Sequence, residues 1–428
     1  MPTALSQLVD FGTGRIRQHT LRRIFIPLIV VAYLGSLMLA IQLFPGPFDW
    51  RTRSRSKLVR LPRASRLIYR SRAMADVPNL QRYCAQDRDE VFDLFREALG
   101  AEGSARTIAQ FRWKYETNPF TPAEGPAIDL IRIGPKLVSL LAGFSIPMWM
   151  GGTECAGEGR GTWIVHPDYR GRNLWKQVND LISGGAPVQF GWTRLPPRVS
   201  MNIEYVSDAL RPMLRILDAG TLIGRFTNSR ILTAMGSSAG AATHSVLTRL
   251  AGHHDPVGAV VRLPAFDNRV DELWQRARRT ELAMTVRNHR YLNWRYCARP
   301  DAQYLLYGFE RGDELAGFLV ARAVTYLGVR WGYLVDFLAP ENSTEVLRAL
   351  VGQAIEDFRN DRTAAVSCFV TDSAARRALL RYGFLPVPQR RPIRFVRLIP
   401  NRRPDLIKFR DAKRWYLTMG DGDLELAP

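Results

Sequence analysis

Apolar and polar positions follow different rhythms along this chain. Between positions 25 and 44, FIPLIVVAYLGSLMLAIQLF, no residue is charged. A helix of that length spans about 30 Å, the thickness of a hydrocarbon core. Its twelve Leu, Ile, Val and Phe side chains favour the bilayer by roughly 4–7 kcal/mol, enough to outweigh Pro27, Gly35 and Gln42. The run predicts a transmembrane helix over 25–44, with a buried helix as the alternative. A cleaved signal peptide fits less well, because the run is long and no clear small-residue cleavage site is present.

From about position 78 the rhythm becomes mixed, and it occurs twice. FRWKYETNP at 111–119 matches LNWRYCARP at 292–300 with an offset of 181. LAGF at 141–144 recurs at 315–318, and Pro167 has a counterpart in Pro340. The order is the same in both halves and the offset drifts only to 173, which marks a tandem repeat. Each unit opens with a strand (80–84; 260–263) and an amphipathic helix, EVFDLFREAL or RVDELWQRARR. A second helix carries the W-[KR]-Y element. Two strands follow, AIDLIRIG with LVSLLAGFSI and AQYLLYGF with ELAGFLVARAV, separated by short polar breaks that suit hairpin turns. A fourth strand ends at the marked proline, a helix follows (173–182; 344–358), and a last strand and helix are clearest in AAVSCFVTD and SAARRALLRYGF. Strands first, then alternation with helices, predict an α/β fold with a mixed sheet in each unit. The expected organisation is a basic, membrane-spanning segment at 1–73, a first unit at 78–226, a connector at 227–258, a second unit at 259–400 and a tail at 401–428.

Charge sharpens the view of the N-terminus. The chain of 428 residues has a net charge of +20, and residues 1–73 hold 13 Lys or Arg against Asp10 and Asp49. Basicity concentrated in 51–72 points to anionic membrane lipid. No nucleic-acid motif appears, so nucleic acid is not an expected partner. The basic flank after position 44 outweighs Arg15, Arg17, Arg22 and Arg23, which predicts a single-pass protein of the inner (plasma) membrane with its C-terminal units in the cytoplasm. If Met74 is the true start, the protein is cytoplasmic. Cys84, Cys155, Cys297 and Cys368 are scattered without CxxC spacing, so neither a disulfide framework nor a metal site is expected. "HHDP" at 253–256 reads as a solvated loop.

The stretch WIVHPDYRGRNLWKQV at 163–178 carries the chemistry. A strand stops at a proline, and a compact basic turn passes into an amphipathic segment. The element order β-α-α-β-β-β-α-β-α, the VHPDYRG turn after strand four and the closing RYGF resemble the GNAT N-acyltransferase superfamily, here in tandem. The resemblance covers about 78–400. It implies acyl transfer from acetyl-CoA or another acyl-CoA to an amine, with the pyrophosphate held on that turn by helix N-terminal amides. The superfamily pattern R-x-x-G-x-G/A falls on Arg170, Gly171, Arg172, Asn173, Leu174 and Trp175. The arginine is kept, and both later glycines are replaced. Asn173 tolerates a left-handed backbone, whereas the indole of Trp175 must enter the core or cover the groove.

The resemblance makes Val165, Arg170, Gly171, Arg172, Asn173 and Leu174 the cofactor-binding candidates, with an amide near Val165 holding the oxyanion. Glu204 and Tyr205, in SMNIEYVSDAL where strand five gives way to the next helix, are the catalytic candidates. His166 is a proton-transfer candidate with a structural role as the alternative. Trp113 and Trp294 are expected in the core of each unit. The second unit's turn, LAPENSTEVL, lacks Arg and Gly. Asn342 and Glu345 there suit a capping box, so this unit is expected to be structural and without CoA. The membrane anchor suggests a lipid-linked or cell-envelope sugar amine as acceptor. Two alternatives remain open: a non-catalytic binding protein of the same fold, and an aminoacyl-tRNA-dependent transferase of envelope precursors.

Overall fold

The computed structural model describes residues 78–172, 174, 188–193, 205–209, 212–225, 229–230, 232–238, 240, 257–341, 343–387, 394–398 and 404–422. The apolar run 25–44 and the basic run 51–72 lie outside the described residues. Among the described residues no helix is long and apolar enough to cross a membrane.

The fold is mixed α/β, with two mixed sheets. The first is built on β1 (Asn79–Arg82), β2 (Ala127–Ile133), β3 (Lys136–Met150), β4 (Thr153–Val165), β5 (Val188–Thr193) and β6 (Tyr205–Ala209). β7 (Met213–Ile216) follows in the chain. The second sheet uses β8 (Ala259–Leu263), β10 (Leu305–Arg311), β11 (Glu314–Tyr326), β12 (Val329–Leu338), β13 (Ala365–Cys368) and β14 (Leu385–Pro386). Short β9 (Ala283–Thr285), β15 (Arg394–Leu398) and β16 (Trp415–Tyr416) complete the set. The helices include α1 (Arg88–Phe111), α2 (Ala219–Gly224), α3 (Arg269–Ala277), α4 (Thr344–Asn360) and α5 (Ser373–Arg381). α4 buries Val346, Leu350, Val351, Ala354, Ile355 and Phe358, the three-to-four spacing of a helix with one face on a sheet.

The two sheets exchange a strand. The first runs β1-β2-β3-β4-β5-β15-β6 and the second β14-β7-β13-β12-β11-β10-β8. β7, from the stretch read as the first unit, sits between β13 and β14. β15, from the second, sits between β5 and β6. β9 extends the first sheet from the end of β3, and β16 pairs with β9. One apolar cluster accordingly contains Phe92, Phe111 and Phe144 together with Trp274, Phe318 and Trp415.

α1 is two helices joined at Gly100, whose φ of 72° and ψ of −178° interrupt the helical path. Only glycine takes such a conformation cheaply. The W-[KR]-Y elements are π-helical turns: the N–H of Thr117 donates to the Arg112 carbonyl and that of Ala298 to the Asn293 carbonyl, each at 2.9 Å. The wide turn buries three successive side chains, Trp113, Lys114 and Tyr115 in one unit and Trp294, Arg295 and Tyr296 in the other.

Three sequence readings are corrected. The LAGF pairs are not structurally equivalent, because the hairpins β2–β3 and β10–β11 turn at Gly134 and Gly312, an offset of 178 that pairs Leu315 with Leu137 instead. Tyr205 opens β6 rather than closing strand five. Glu345 does not cap α4: its carboxylate accepts from Arg311 Nη2 at 2.9 Å, and the N-cap Ser343 makes no side-chain cap bond. Asn342 lies outside the described residues.

Candidate functional site

The first sheet opens where the turn begins. Parallel β4 and β5 pair only over 157–160 with 188–191. The register of β4 against β3 slips by one residue between Arg160 and Thr162, so Gly161 is an extra, bulged residue. A bulge bends its strand and raises the local twist, which turns β4 away from β5. The β4–β5 ladder stops at Arg160 with Gly191. The N–H of His166 donates to the Val138 carbonyl at 2.9 Å, so positions 166 and 138 are a hydrogen-bonded pair. Alternation along an antiparallel ladder then points the N–H groups of Val165 and Trp163 away from β3, to the open side. The carboxyl ends of parallel strands, where neighbours part, are where open α/β sheets bind ligands.

The turn itself is tightly tied. Pro167–Tyr169 form one 3₁₀ turn, capped by His166, whose Nδ1 accepts the Asp168 N–H at 3.2 Å. That leaves the proton on Nε2, 2.8 Å from Glu97. His166 is buried and holds the turn to α1, its structural role. Arg170 does the same: Nε donates to the Val165 carbonyl at 3.3 Å and Nη2 to the Ala98 carbonyl at 2.9 Å. Ala98 lies just before the break at Gly100, so the guanidinium caps the carbonyl end of that helical segment, the favourable end for a cation. Gly171 has φ of 81°. The exposed Arg172 stacks on Tyr169, 4.4 Å from the ring centroid. Leu174 is buried against Ile131, Ile133 and Val138, with Val165 packed beside them.

The structure thus brings Val165, Arg170, Gly171, Arg172 and Leu174 to one end of β4. Asn173, Trp175 and Glu204 lie outside the described residues. Tyr205 is placed by its backbone at the start of β6, separated from β5 by β15.

Sequence reasoning left out several groups beside the cleft. Lys114 is buried, its Nζ 5.1 Å from the centroid of Phe144. The Tyr115 hydroxyl lies 3.1 Å from Thr162 Oγ1. Both belong to the repeated W-[KR]-Y element, so the repetition was a signal. On the opposite face, buried Glu158 accepts from Gln189 Nε2 at 3.4 Å. On the Lys114 face the glycine alternation in GEGRG makes room for Phe144, Ile146 and Met148, which lean over Gly159 and Gly157.

The second sheet repeats the geometry with different contents. Its bulge is Val335, and β12 leaves β13 after Leu334. The position matching Thr162 is Asp336, which accepts from Tyr296 at 2.9 Å. Fully buried Arg287 lies 3.0 Å from Asp336 and 2.9 Å from Asp421. Burial works against the charge on Arg287, yet Asp336 and Asp421 hold it well above its ordinary pKa. One guanidinium serves two carboxylates, so burial, together with the charge of Asp421, pushes Asp336 above the usual carboxylate range. Among the described residues no group of His, Cys, Asp and Glu could hold a metal ion.

No protein-family model matches the sequence, and neither does any curated protein. Solved structures do match in part. A conserved protein of unknown function from Enterococcus faecalis, described as a probable N-acyltransferase, is similar at 12% identity and a TM-score of 0.46. That overlap covers 68% of this chain and 64% of the other, so the chain spans less than two thirds of that protein. Saccharomyces cerevisiae N-myristoyltransferase with bound myristoyl-CoA is similar at 14% identity, with 82% and 91% covered and a TM-score of 0.46. A GCN5-related N-acetyltransferase from Anabaena variabilis is similar at 11% identity, with 75% and 72% covered and the same TM-score. Overlaps this shallow say nothing of substrate or chemistry for this chain.

Proposed function

We propose that the protein is an N-acyltransferase whose first unit moves an acetyl or other acyl group from acyl-CoA to an amine. The observation that supports this most is the parting of β4 from β5 past Arg160, which leaves the N–H groups of Trp163 and Val165 aimed at the open side. In this reading the thioester lies along β4, and the pyrophosphate lies at the turn 166–172 and the start of the segment containing Leu174. The amine nitrogen attacks the thioester carbonyl, the oxyanion is stabilised by the Val165 N–H, and the carbon–sulfur bond breaks as the amine loses its proton. Glu204 and Tyr205 remain the candidates to take that proton. The acceptor is an amine on a lipid-linked or cell-envelope sugar, reached from a single-pass anchor at 25–44 whose flank 51–72 rests on anionic lipid, with both units in the cytoplasm.

Calorimetry of acetyl-CoA against the purified chain tests the donor site. A saturable heat with one site per chain is expected, and none at millimolar cofactor ends the enzyme reading. Membrane fractionation tests the anchor. A second reading, a binding protein without chemistry, is favoured by Arg170, whose bonds to Val165 and Ala98 serve the fold. Acetyl-CoA binding without thiol release in the presence of amines would favour it.

A further inference from the structure

The cleft in the second sheet is occupied by the chain itself. Residues 415–422 run into the gap that β12 and β13 leave beyond Leu334. The Tyr416 hydroxyl donates to the Phe337 carbonyl at 2.6 Å. Phe337 stands where Trp163 stands in the first sheet, with its backbone turned to the open side. On the other wall Thr418 bridges Val370 in antiparallel fashion. The N–H of Thr371 donates to the Leu417 carbonyl at 3.0 Å, and that of Leu417 to Thr371 Oγ1 at 2.8 Å. Deeper in, the Thr418 hydroxyl donates to Asp336 at 2.9 Å, and Arg287 holds Asp421. Arg295 donates to the carbonyls of Gly420 at 3.1 Å and Gly422 at 2.7 Å.

Splayed strands expose backbone groups that must find partners once water is excluded. Segment 415–422 supplies them in part. Its backbone pairs with 370–371, as captured peptides pair with a sheet edge, the Tyr416 hydroxyl serves the Phe337 carbonyl, and Met419–Asp421 close the gap as a 3₁₀ turn. We propose that the gap between β12 and β13 is a peptide-binding groove whose occupant is the chain's own segment 415–422, a captive segment that closes this unit's cleft to outside ligands. The groove discriminates by shape, because a Cβ on Gly420 would strike the Tyr296 hydroxyl and crowd Asp336. The same segment reaches the first sheet, where Trp415 packs on Phe190 and Phe395 at centroid distances of 5.7 and 4.9 Å. Gly422 also abuts the Trp192 indole on β5, and the assignment does not depend on acyl transfer.

Hydrogen exchange read by mass spectrometry on the full chain tests it. In the unaltered protein, amides of 415–421 and of 370–371 should exchange slowly and together. Gly420→Val should speed exchange at both places by a hundredfold or more, while β10 keeps its protection. Added peptide of sequence 411–428 should then restore protection at 370–371. A tail that exchanges within seconds in the unaltered protein overturns the proposal, as does a Gly420→Val chain with a protected tail, or one that peptide does not restore. If Gly420→Val loses protection throughout, Asp421→Asn decides. Tail amides opening before those of β10 support a separable occupant, and all opening at one rate sinks it.

Discussion

Trp113 and Trp294 donate their indole N–H groups to each other's backbone carbonyls, at 2.9 and 3.1 Å. Their rings stack with centroids 4.9 Å apart and planes at 20°. The repeat is thus visible as a local two-fold relationship, with each unit's W-[KR]-Y turn completing the other's. Replacing either tryptophan by phenylalanine keeps a ring but removes the indole donor from a buried carbonyl; the Trp113 carbonyl keeps the Thr117 hydroxyl at 3.3 Å. Each single change should cost about 1–3 kcal/mol. The double change should cost less than the sum, because the pair acts as one unit. Urea unfolding of the three variants measures this, and additive losses would count against a coupled pair.

Asp301 joins the units at a second place. It accepts from Arg299 at 2.8 Å and, across from α1, from Gln110 at 2.6 Å and Arg106 at 3.3 Å. Burial alone would raise its pKa, but the charge and hydrogen bond of Arg299, with Gln110 and Arg106, hold it below the ordinary value. A carboxylate depressed in the folded state stabilises fully above its unfolded pKa of about 3.9 and loses that contribution as pH falls through the folded value. Asp301→Asn should remove about 2 kcal/mol near neutrality. The difference from the unaltered chain should shrink as pH falls below about 4. Denaturation midpoints from pH 7 to 3 provide the check.

The hairpin β11–β12 turns through Leu327 and Gly328, with φ of 51° and 74°. The matching turn in β3–β4 uses Gly151 and Gly152, at 62° and 91°. Two-residue hairpins with both positions left-handed favour Asn-Gly or Gly-Gly, and a leucine there is strained by about 1 kcal/mol. Leu327 is half exposed, so little burial is lost on replacement. Leu327→Asn should raise stability by about 0.5–1 kcal/mol, read as a higher melting temperature.

Val165→Pro addresses the donor site. The Val165 N–H faces away from β3, so removing it spares the ladder, which is where proline is tolerated in a strand. If that N–H holds the oxyanion, turnover should fall about 10²–10³-fold with the fold retained. Unchanged turnover in a folded variant would move the oxyanion site elsewhere.

Expressed separately, residues 74–258 and 259–428 should each be insoluble or unfolded, because each sheet lacks an inner strand. Co-expressed, they should form one complex on size exclusion. Two independently folded halves would contradict the exchange.

The two hairpins β2–β3 and β10–β11 could be read from the sequence, since near-continuous apolar runs flank short polar breaks, and Gly134 and Gly312 sit in their turns. The first three strands, the end of the fourth and the helix EVFDLFREAL were expected within a few residues, whereas the second helix runs on from it through Gly100 to Phe111. The exchange could not be read, because β7 and β15 are four- and five-residue strands whose local pattern is the same whichever sheet they join. LAGF misled because four small and apolar residues suit any inner strand. At the candidate site the turn was legible and its wiring was not: Arg170 looked available for an anion until Ala98, 72 positions earlier, proved to be its partner. Glu345 failed as a cap for the same reason, since Arg311 is distant in sequence and close in space.

Because β15 lies between β5 and β6, the first sheet cannot be finished in the order in which it is synthesised. β6 ends at Ala209 and β15 begins at Arg394, a gap the ribosome takes about 10–40 s to cross at 5–20 residues per second. Through that interval the nascent chain carries two unzipped strand edges, a standing invitation to mispairing. A growing polypeptide with this wiring keeps those edges open until β15 itself emerges.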